Sequence, residues 1–367
     1  MFAVTANSQN LWQSLVIWLK SGSVVDSSYI YQRPACFSVD GNFNMQNFTV
    51  SMNTDYSIRR DNVNSSGVIT DSAWVPGSTS MNFSGGVKTG VGVGIGYGNL
   101  GLGYGFNLGA DDKKGSRTFN FAIKGHKWGV GINYYGLNHY ARSVVDIADD
   151  TSRWHLHDER VSNQPCDVYR VALDAYWSLN RSKFAYTAAY KCGMVQRRSA
   201  GSMIICGNLL FSGMQCAEND QMFSTSGIQG YNFLQTSVGV GYSRNIVFLH
   251  RDATDQKNSN LRNLVFNFTI MPMLTFSNSM LLTPIGGGEN MTLSCPVSPN
   301  VNGSLALGYS MGRLFMGIQY SHSVYYIQSS EDLKPSDIGL QDRPLKDISF
   351  DAVLQYWTVK AMAVFNF

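Results

Sequence analysis

KTGVGVGIGYGNLGLGYGFNLG, residues Lys88 to Gly109, decides the fold. Val91, Val93, Ile95 and Tyr97 alternate with Gly90, Gly92, Gly94 and Gly96. After Asn99, Leu100, Leu102, Tyr104 and Phe106 alternate with Gly101, Gly103 and Gly105. A period of two on both sides of a tight turn predicts a β-hairpin with one continuously apolar face and one nearly bare face. Such a hairpin suits lipid on the first face and a crowded interior on the second.

The composition of the whole chain agrees. Only 14% of its 367 residues are charged, against 44% hydrophobic, with 36 Gly, 19 Tyr, 20 Phe and 7 Trp. A soluble domain usually carries about 25% charged residues, and a soluble β-sandwich would place charge on its water-facing alternate positions. No apolar run reaches the roughly 18 residues of a transmembrane helix. Many short alternating segments with high aromatic content predict an all-β transmembrane antiparallel β-barrel in the bacterial outer membrane. The net charge of +3 argues against a nucleic-acid-binding surface, so no nucleic acid is expected as a partner.

Outward from the hairpin, strands are expected over Phe37 to Asn53, Thr118 to Lys124, Lys127 to Ala141, Val168 to Leu179, Lys183 to Arg198, Leu234 to Tyr242, Asn263 to Phe276, Gly303 to Met311, Arg313 to Ile327 and the C-terminal segment. Met203 to Phe211 reads either as a strand or as an extension above the membrane. Thr54 to Ser84, Arg142 to Cys166, Ser277 to Asn300 and Gln328 to Lys346 read as long polar loops. The count is about 12 strands, within 10–14. Short turns at Asn99, Gly125, Asn180 and Gly312 mark the periplasmic end, and the long loops face outside. In the last strand Val359, Ala361, Ala363, Phe365 and Phe367 alternate with Lys360, Met362, Val364 and Asn366, an amphipathic aromatic ending of the kind outer-membrane assembly machinery reads.

Three units are expected: residues 1–8 as the remnant of a signal peptide with a small-x-small site at Ala6-Asn7-Ser8, residues 9–33 as a periplasmic segment, and residues 34–367 as the barrel. Leu11, Trp12, Leu15, Val16 and Leu19 recur at helical spacing, predicting a short amphipathic helix in the second unit. The six cysteines form no C-x-x-C pair, which leaves zinc-site and redox-motif readings without support. Cys166, Cys206, Cys216 and Cys295 are expected in or beside outward loops, where disulfides are permitted in an oxidising compartment.

Several stretches together resemble a family of Bacteroidota outer-membrane proteins classified as a domain of unknown function, the one numbered 4421. They are DSSYIYQRPACFSV from Asp26, the glycine hairpin, SRTFNFAIKGHKWGVGINYY from Ser116, SKFAYTAAYKCGMVQRRSAGS from Ser182 to Ser202, and LALGYSMGRLFMGIQY followed by the strand ending on Phe367. The resemblance implies one barrel domain without an appended enzyme, and it brings no activity.

No constellation for catalysis stands out. A lipase-like site needs His and Ser on one lipid-facing side near the rim. His322 shares parity with Leu314, Met316, Ile318 and Tyr320, whereas Ser321 and Ser323 point the other way. His155, His157, Asp158 and Glu159 in WHLHDER could ligate a divalent ion, but Arg153 and Arg160 flank them, and a solvated charged loop is the simpler reading. The Gly-x-Gly repeats lack the helix that a dinucleotide fingerprint requires. Lys124, Asp174, Lys191 and Arg262 lie in or beside strands, and charge facing lipid is costly, so they are expected inward or at the rims. No catalytic residue, cofactor or metal ligand is therefore assigned. The expected role is non-enzymatic, an accessory or structural component of an outer-membrane assembly. A small channel for a hydrophilic or apolar solute is the alternative, and a lipid-modifying enzyme comes third. The expected partners are outer-membrane lipid and lipopolysaccharide, together with other outer-membrane or periplasmic proteins.

Overall fold

A computed structural model describes residues 25–84, 87–108, 117–140, 143–149, 155–158, 166–191, 193–215, 228–252, 261–284, 291–294, 297–328 and 345–367. In chain order its strands are β1 (Ile30–Gln32), β2 (Phe37–Val63), β3 (Ile69–Ser84), β4 (Lys88–Tyr97), β5 (Leu100–Asn107), β6 (Arg117–Lys124), β7 (Trp128–Tyr140), β8 (Ser143–Asp149), β9 (His155–Asp158), β10 (Cys166–Ser178), β11 (Met194–Gln196), β12 (Ala200–Gln215), β13 (Ile228–Arg251), β14 (Arg262–Pro284), β15 (Met291–Ser294), β16 (Pro299–Met311), β17 (Leu314–Gln328) and β18 (Leu345–Asn366). Twelve of them, β2, β4, β5, β6, β7, β10, β12, β13, β14, β16, β17 and β18, pair in that order, and β18 pairs back with β2. All these pairings are antiparallel, and the seam between the first and last barrel strands runs from Leu345↔Ile58 to Asn366↔Ser38. A closed ring has no free edge, so every wall amide can be satisfied in hydrocarbon.

The outer surface is apolar. Val93 is 65% exposed and Ile95 52%, and Leu102, Val238, Val240, Ile270, Leu305 and Ile318 extend the band around the ring. Exposed aromatics border it: Phe37, Tyr97 and Phe367 near the short turns, and Phe106, Phe119, Phe211 and Phe276 toward the loop end. This is the lipid-facing band between aromatic girdles that a membrane barrel requires. Among the described residues no helix is long and apolar enough to cross a membrane. The chain is an outer-membrane β-barrel.

The glycine hairpin stands as its sequence predicts, with Val93↔Tyr104 and Gly94↔Gly103 paired across the turn and Gly98 at φ 57°. The bare face of β4 turns out to be covered. A Cβ on Gly90, Gly92, Gly94 or Gly96 would strike Asn44, Asn42, Asp40 and Ser38 in turn. The inward residues of β2 thus lie flat on the glycines of β4, a close approach that only glycine permits. On β5, by contrast, a Cβ at Gly101 would meet nothing within 4 Å.

Four expectations change. Thr54 to Ser84 is no loop: β2 runs on to Val63 and pairs with β3 through Arg59↔Trp74, and β8 and β9 extend this sheet from β3. A strand of 27 residues far exceeds the roughly 10 that cross a bilayer, so the hairpin stands above it. Lys183 to Arg198 is no wall strand. Residues Tyr186–Ala189 form a 3-10 turn and β11 pairs only with β1, while Met203 to Phe211 belongs to the true wall strand β12. Twelve strands is thus the expected number with one member exchanged. Ser277 to Asn300 is not all loop, since β14 carries Ser277 to Pro284, and β13 likewise continues past Tyr242 to Arg251. Finally, Cys206 is a buried free thiol in mid-β12, opposite Tyr176 and Gly239, and cannot staple a loop. The expected helix near Leu11, the processing site at Ala6, and Cys216 lie outside the described residues.

Candidate functional site: the barrel interior

The interior has three parts, each set by inward-facing side chains. Toward the loop end, apolar residues from eight strands converge: Phe48, Val50 and Met52 of β2 meet Leu210 of β12, Phe233 of β13, Tyr325 of β17 and Phe350 of β18, with others from β7, β10 and β14. The alternation that puts Val91 outside on β4 puts Val50 inside on β2, because β2 switches from polar inward residues, Ser38 to Gln46, to apolar ones above Phe48.

At the turn end, one side of the interior is filled by the segment between β10 and β12. Phe184, Ala185, Thr187, Ala188, Ala189 and Gln196 are buried there. Gln196 is its hub. Its amide nitrogen donates to the carbonyls of Lys183 (2.7 Å), Arg198 (2.9 Å) and Tyr29 (3.2 Å), and its Oε1 accepts from the Ala185 amide (2.9 Å). The wall answers with asparagines. Asn245 Nδ2 donates to the Ala185 carbonyl at 2.8 Å, Asn263 Nδ2 to the Gln196 carbonyl at 2.8 Å, and the Tyr190 hydroxyl donates to Asn267 Oδ1 at 2.7 Å. Below, Arg197 pairs with Asp252 in the β13–β14 connection at 2.7 Å, and His250 meets the same carboxylate at 3.0 Å. Partial burial pushes the Asp252 carboxyl up, but His250 and Arg197 outweigh it and hold the group below the usual aspartate range.

The rest of the turn end is a cavity of about 560 Å³ between this plug and the glycine wall, and it reaches the exposed rim at Pro34, Ala35 and Asn99. It is roofed where Arg170 donates to the Tyr325 hydroxyl at 2.9 Å and sits 4.6 Å from the Tyr356 ring centre. Five basic residues line the cavity, Arg33, Lys124, Arg170, Lys191 and Lys360, against the two acidic residues Asp40 and Asp174. The short turns place the cavity mouth on the periplasmic side.

Of the charges singled out in the sequence, Lys124, Asp174 and Lys191 are brought together here. Asp174 accepts from Asn208 Nδ2 at 2.7 Å and Asn133 Nδ2 at 3.3 Å, and Lys191 donates to the Asn99 carbonyl at 3.0 Å. Arg262 is not part of the group; it pairs with Arg251 and Met311 at the turn-side rim. His322 lies against Tyr320, with Val301 and Leu305, on the outer face, while Ser321 and Ser323 line the cavity. The two residue types a lipase would unite are on opposite faces of β17, as their parity predicts. His155, Leu156, His157 and Asp158 form β9, and Trp154, Glu159 and Arg160 are outside the described residues. Sequence reasoning missed Arg170, Asp40 and Lys360. The signal was present: Arg170 keeps the parity of Val168, Ala172 and Asp174, and Lys360 that of Met362 and Val364.

The family model described as a domain of unknown function, DUF4421, matches residues 42–337. The chain belongs to this family. The DUF4421 match covers ten of the twelve wall strands whole, β2 from Asn42 onward and the segment between β10 and β12, and it leaves out β18 and the cavity residues Arg33 and Asp40. No curated protein matches the chain. Similar solved structures include the outer membrane protease OmpT of Escherichia coli, at 7% identity over 89% of this chain and 97% of that one, TM-score 0.35. They also include a FadL homologue of Pseudomonas aeruginosa at 10% identity over 90% of each chain, TM-score 0.22. The toluene transporter TodX of P. putida follows at 8% identity over 88% of this chain and 90% of that one, TM-score 0.20. No activity of these three passes to the DUF4421 chain on such likeness.

Proposed function

We propose that this protein is a closed, non-enzymatic receptacle in the outer membrane, an accessory component whose periplasm-facing cavity receives a ligand or partner, and not an open channel. One observation carries this reading: the apolar cluster of Phe48, Met52, Leu210, Phe233, Tyr325 and Phe350 fills the interior on the loop side of the cavity. Side chains packed at interior density leave no continuous water path, so a solute entering from the turn end meets the Arg170–Tyr325–Tyr356 roof and goes no further. Non-enzymatic action is supported by the separation of His322 from Ser321 and Ser323 on opposite faces of the wall.

Planar-bilayer recording from purified protein tests the reading. The expected result is a silent bilayer at protein levels where a porin of similar strand count conducts. Reproducible conductance steps would replace the receptacle with the channel, for which the unfilled space beside the plug is the favouring observation.

A further inference from the structure

Lys124 on β6 and Lys360 on β18 project from well-separated stretches of the wall into the same cavity. Lys360 lies within electrostatic reach of Lys124, as does Asp174, and Asp40 lies within reach of Lys360. Neither ammonium group has a hydrogen-bond or ion-pair partner among the described residues. Their acidic neighbours are otherwise engaged: Asp174 is held by Asn133 and Asn208, and Asp40 lies on the Gly94 backbone beside the Asn42 amide. Each of these half-buried ammonium groups keeps three N–H donors for a ligand.

Resting on the receptacle reading, we propose that the cavity binds a small soluble anion, a carboxylate- or phosphate-bearing molecule, held between Lys124 and Lys360. The surroundings fit that chemistry. Asn42, Asn44, Asn120, Thr358 and Ser321 add neutral polar groups to the lining, and Gly101 and Gly103 of β5, beside the Lys124 strand, bring no side chain to it. A volume of about 560 Å³ suits a molecule of metabolite size. The cavity reaches the rim among Pro34, Ala35 and Asn99 at the turn end, a route open to a dissolved anion. Anionic oxygens would form charge-assisted hydrogen bonds with both lysines, the strong kind, in a site already screened from bulk water.

Isothermal titration of the full chain in a zwitterionic detergent, with inorganic phosphate and with succinate, tests this. Binding of at least one of them is expected, weakened about tenfold or more in Lys124→Met and in Lys360→Met, with recovery in Lys360→Arg. Retained heat-modifiable gel mobility identifies the variants that have folded, and the unmodified protein decides the matter if neither variant does. Absence of binding by phosphate and succinate, binding that both methionine variants keep, or binding only of short-chain phosphatidylglycerol added in micelles would each overturn the assignment. A protein silent in bilayers that binds no anion loses only this inference. A conducting protein loses the receptacle reading whatever it binds.

Discussion

Asn245 of the barrel wall donates to Gln196 of the plug at 3.1 Å, both side chains fully buried, and the same Asn245 nitrogen reaches the Ala185 carbonyl at 2.8 Å. This pair fastens filling to wall. Replacing Gln196 with Ala strands the Ala185 amide and leaves the carbonyls of Lys183 and Arg198 without their donor, and each orphaned buried group costs about 1–3 kcal/mol. Gln196→Ala and Asn245→Ala are each expected to lower the temperature of the heat-modifiable gel shift. They should also make the bonds after Lys183 and Arg197 accessible to trypsin while the wall stays resistant. Unchanged resistance in both variants would show that the plug is held elsewhere.

The two strands of the glycine hairpin should answer differently to the same substitution. At Gly94 a side chain collides with Asp40, so Gly94→Leu is expected to cost about 1–3 kcal/mol or more as overpacking. At Gly101 a Cβ enters open space, so Gly101→Leu is expected to fold within about 1 kcal/mol of the parent while reducing the cavity. Urea-dependent folding into lipid vesicles, followed by tryptophan fluorescence, separates the two outcomes.

Val93 sits at the centre of β4 on the outward face. Val93→Lys is expected to destabilise the vesicle-inserted barrel by about 2–4 kcal/mol, the depth-dependent cost of a cation facing hydrocarbon. The same replacement at Val68, exposed at the tip of the hairpin above the bilayer, should change stability by less than about 0.5 kcal/mol. Equal effects at the two sites would contradict the placement of the membrane band.

The Arg197–Asp252–His250 group gives the plug a pH dependence. The folded carboxyl of Asp252 lies below the ordinary aspartate value of 3.8. Its contribution is therefore present above that value and is lost as the pH falls through the lowered folded value. Because the Asp252 side chain is 58% exposed, the whole effect is limited to about 1 kcal/mol. Trypsin is inactive in such acid, so pepsin is the protease to use: cleavage within residues 183–198 is expected to rise between pH 4 and pH 2, and Asp252→Asn should be equally susceptible at both.

The wall was legible because its determinants are local. Period two, glycine at the crossings and aromatics at the borders all follow from one strand meeting two media, so Val93, Leu102 and Ile318 declare their side without knowledge of their neighbours. The plug was not legible for the same reason. SKFAYTAAYKCGMVQ alternates well enough to be read as wall, and its buried state depends on Asn245, Asn263 and Asn267, which lie some fifty residues or more downstream. The hairpin of β2 and β3 was hidden by composition: Asn, Ser and Asp in NVNSSGVITDS suit a loop, and only pairing such as Asn62↔Asp71 makes the flanks of its turn strand. In the cavity, the cost of charge facing lipid announced Asp174 and Lys124. The meeting of Lys124 with Lys360 needed the closure of β18 on β2, which is a property of the ring as a whole.

That closure also bears on how the molecule is made. The segment inside the barrel is fixed upstream through Tyr29 and Ile30 and downstream through Asn245, Asn263, Asn267 and Ser304, whereas the first and last wall strands meet at the Phe37–Phe367 end of the seam. Its docking sites on β13, β14 and β16 are synthesised after it and completed before β18. The plug has partners on both sides of it in the chain, so its full docking waits on β13, β14 and β16 as well as on residues 25–33.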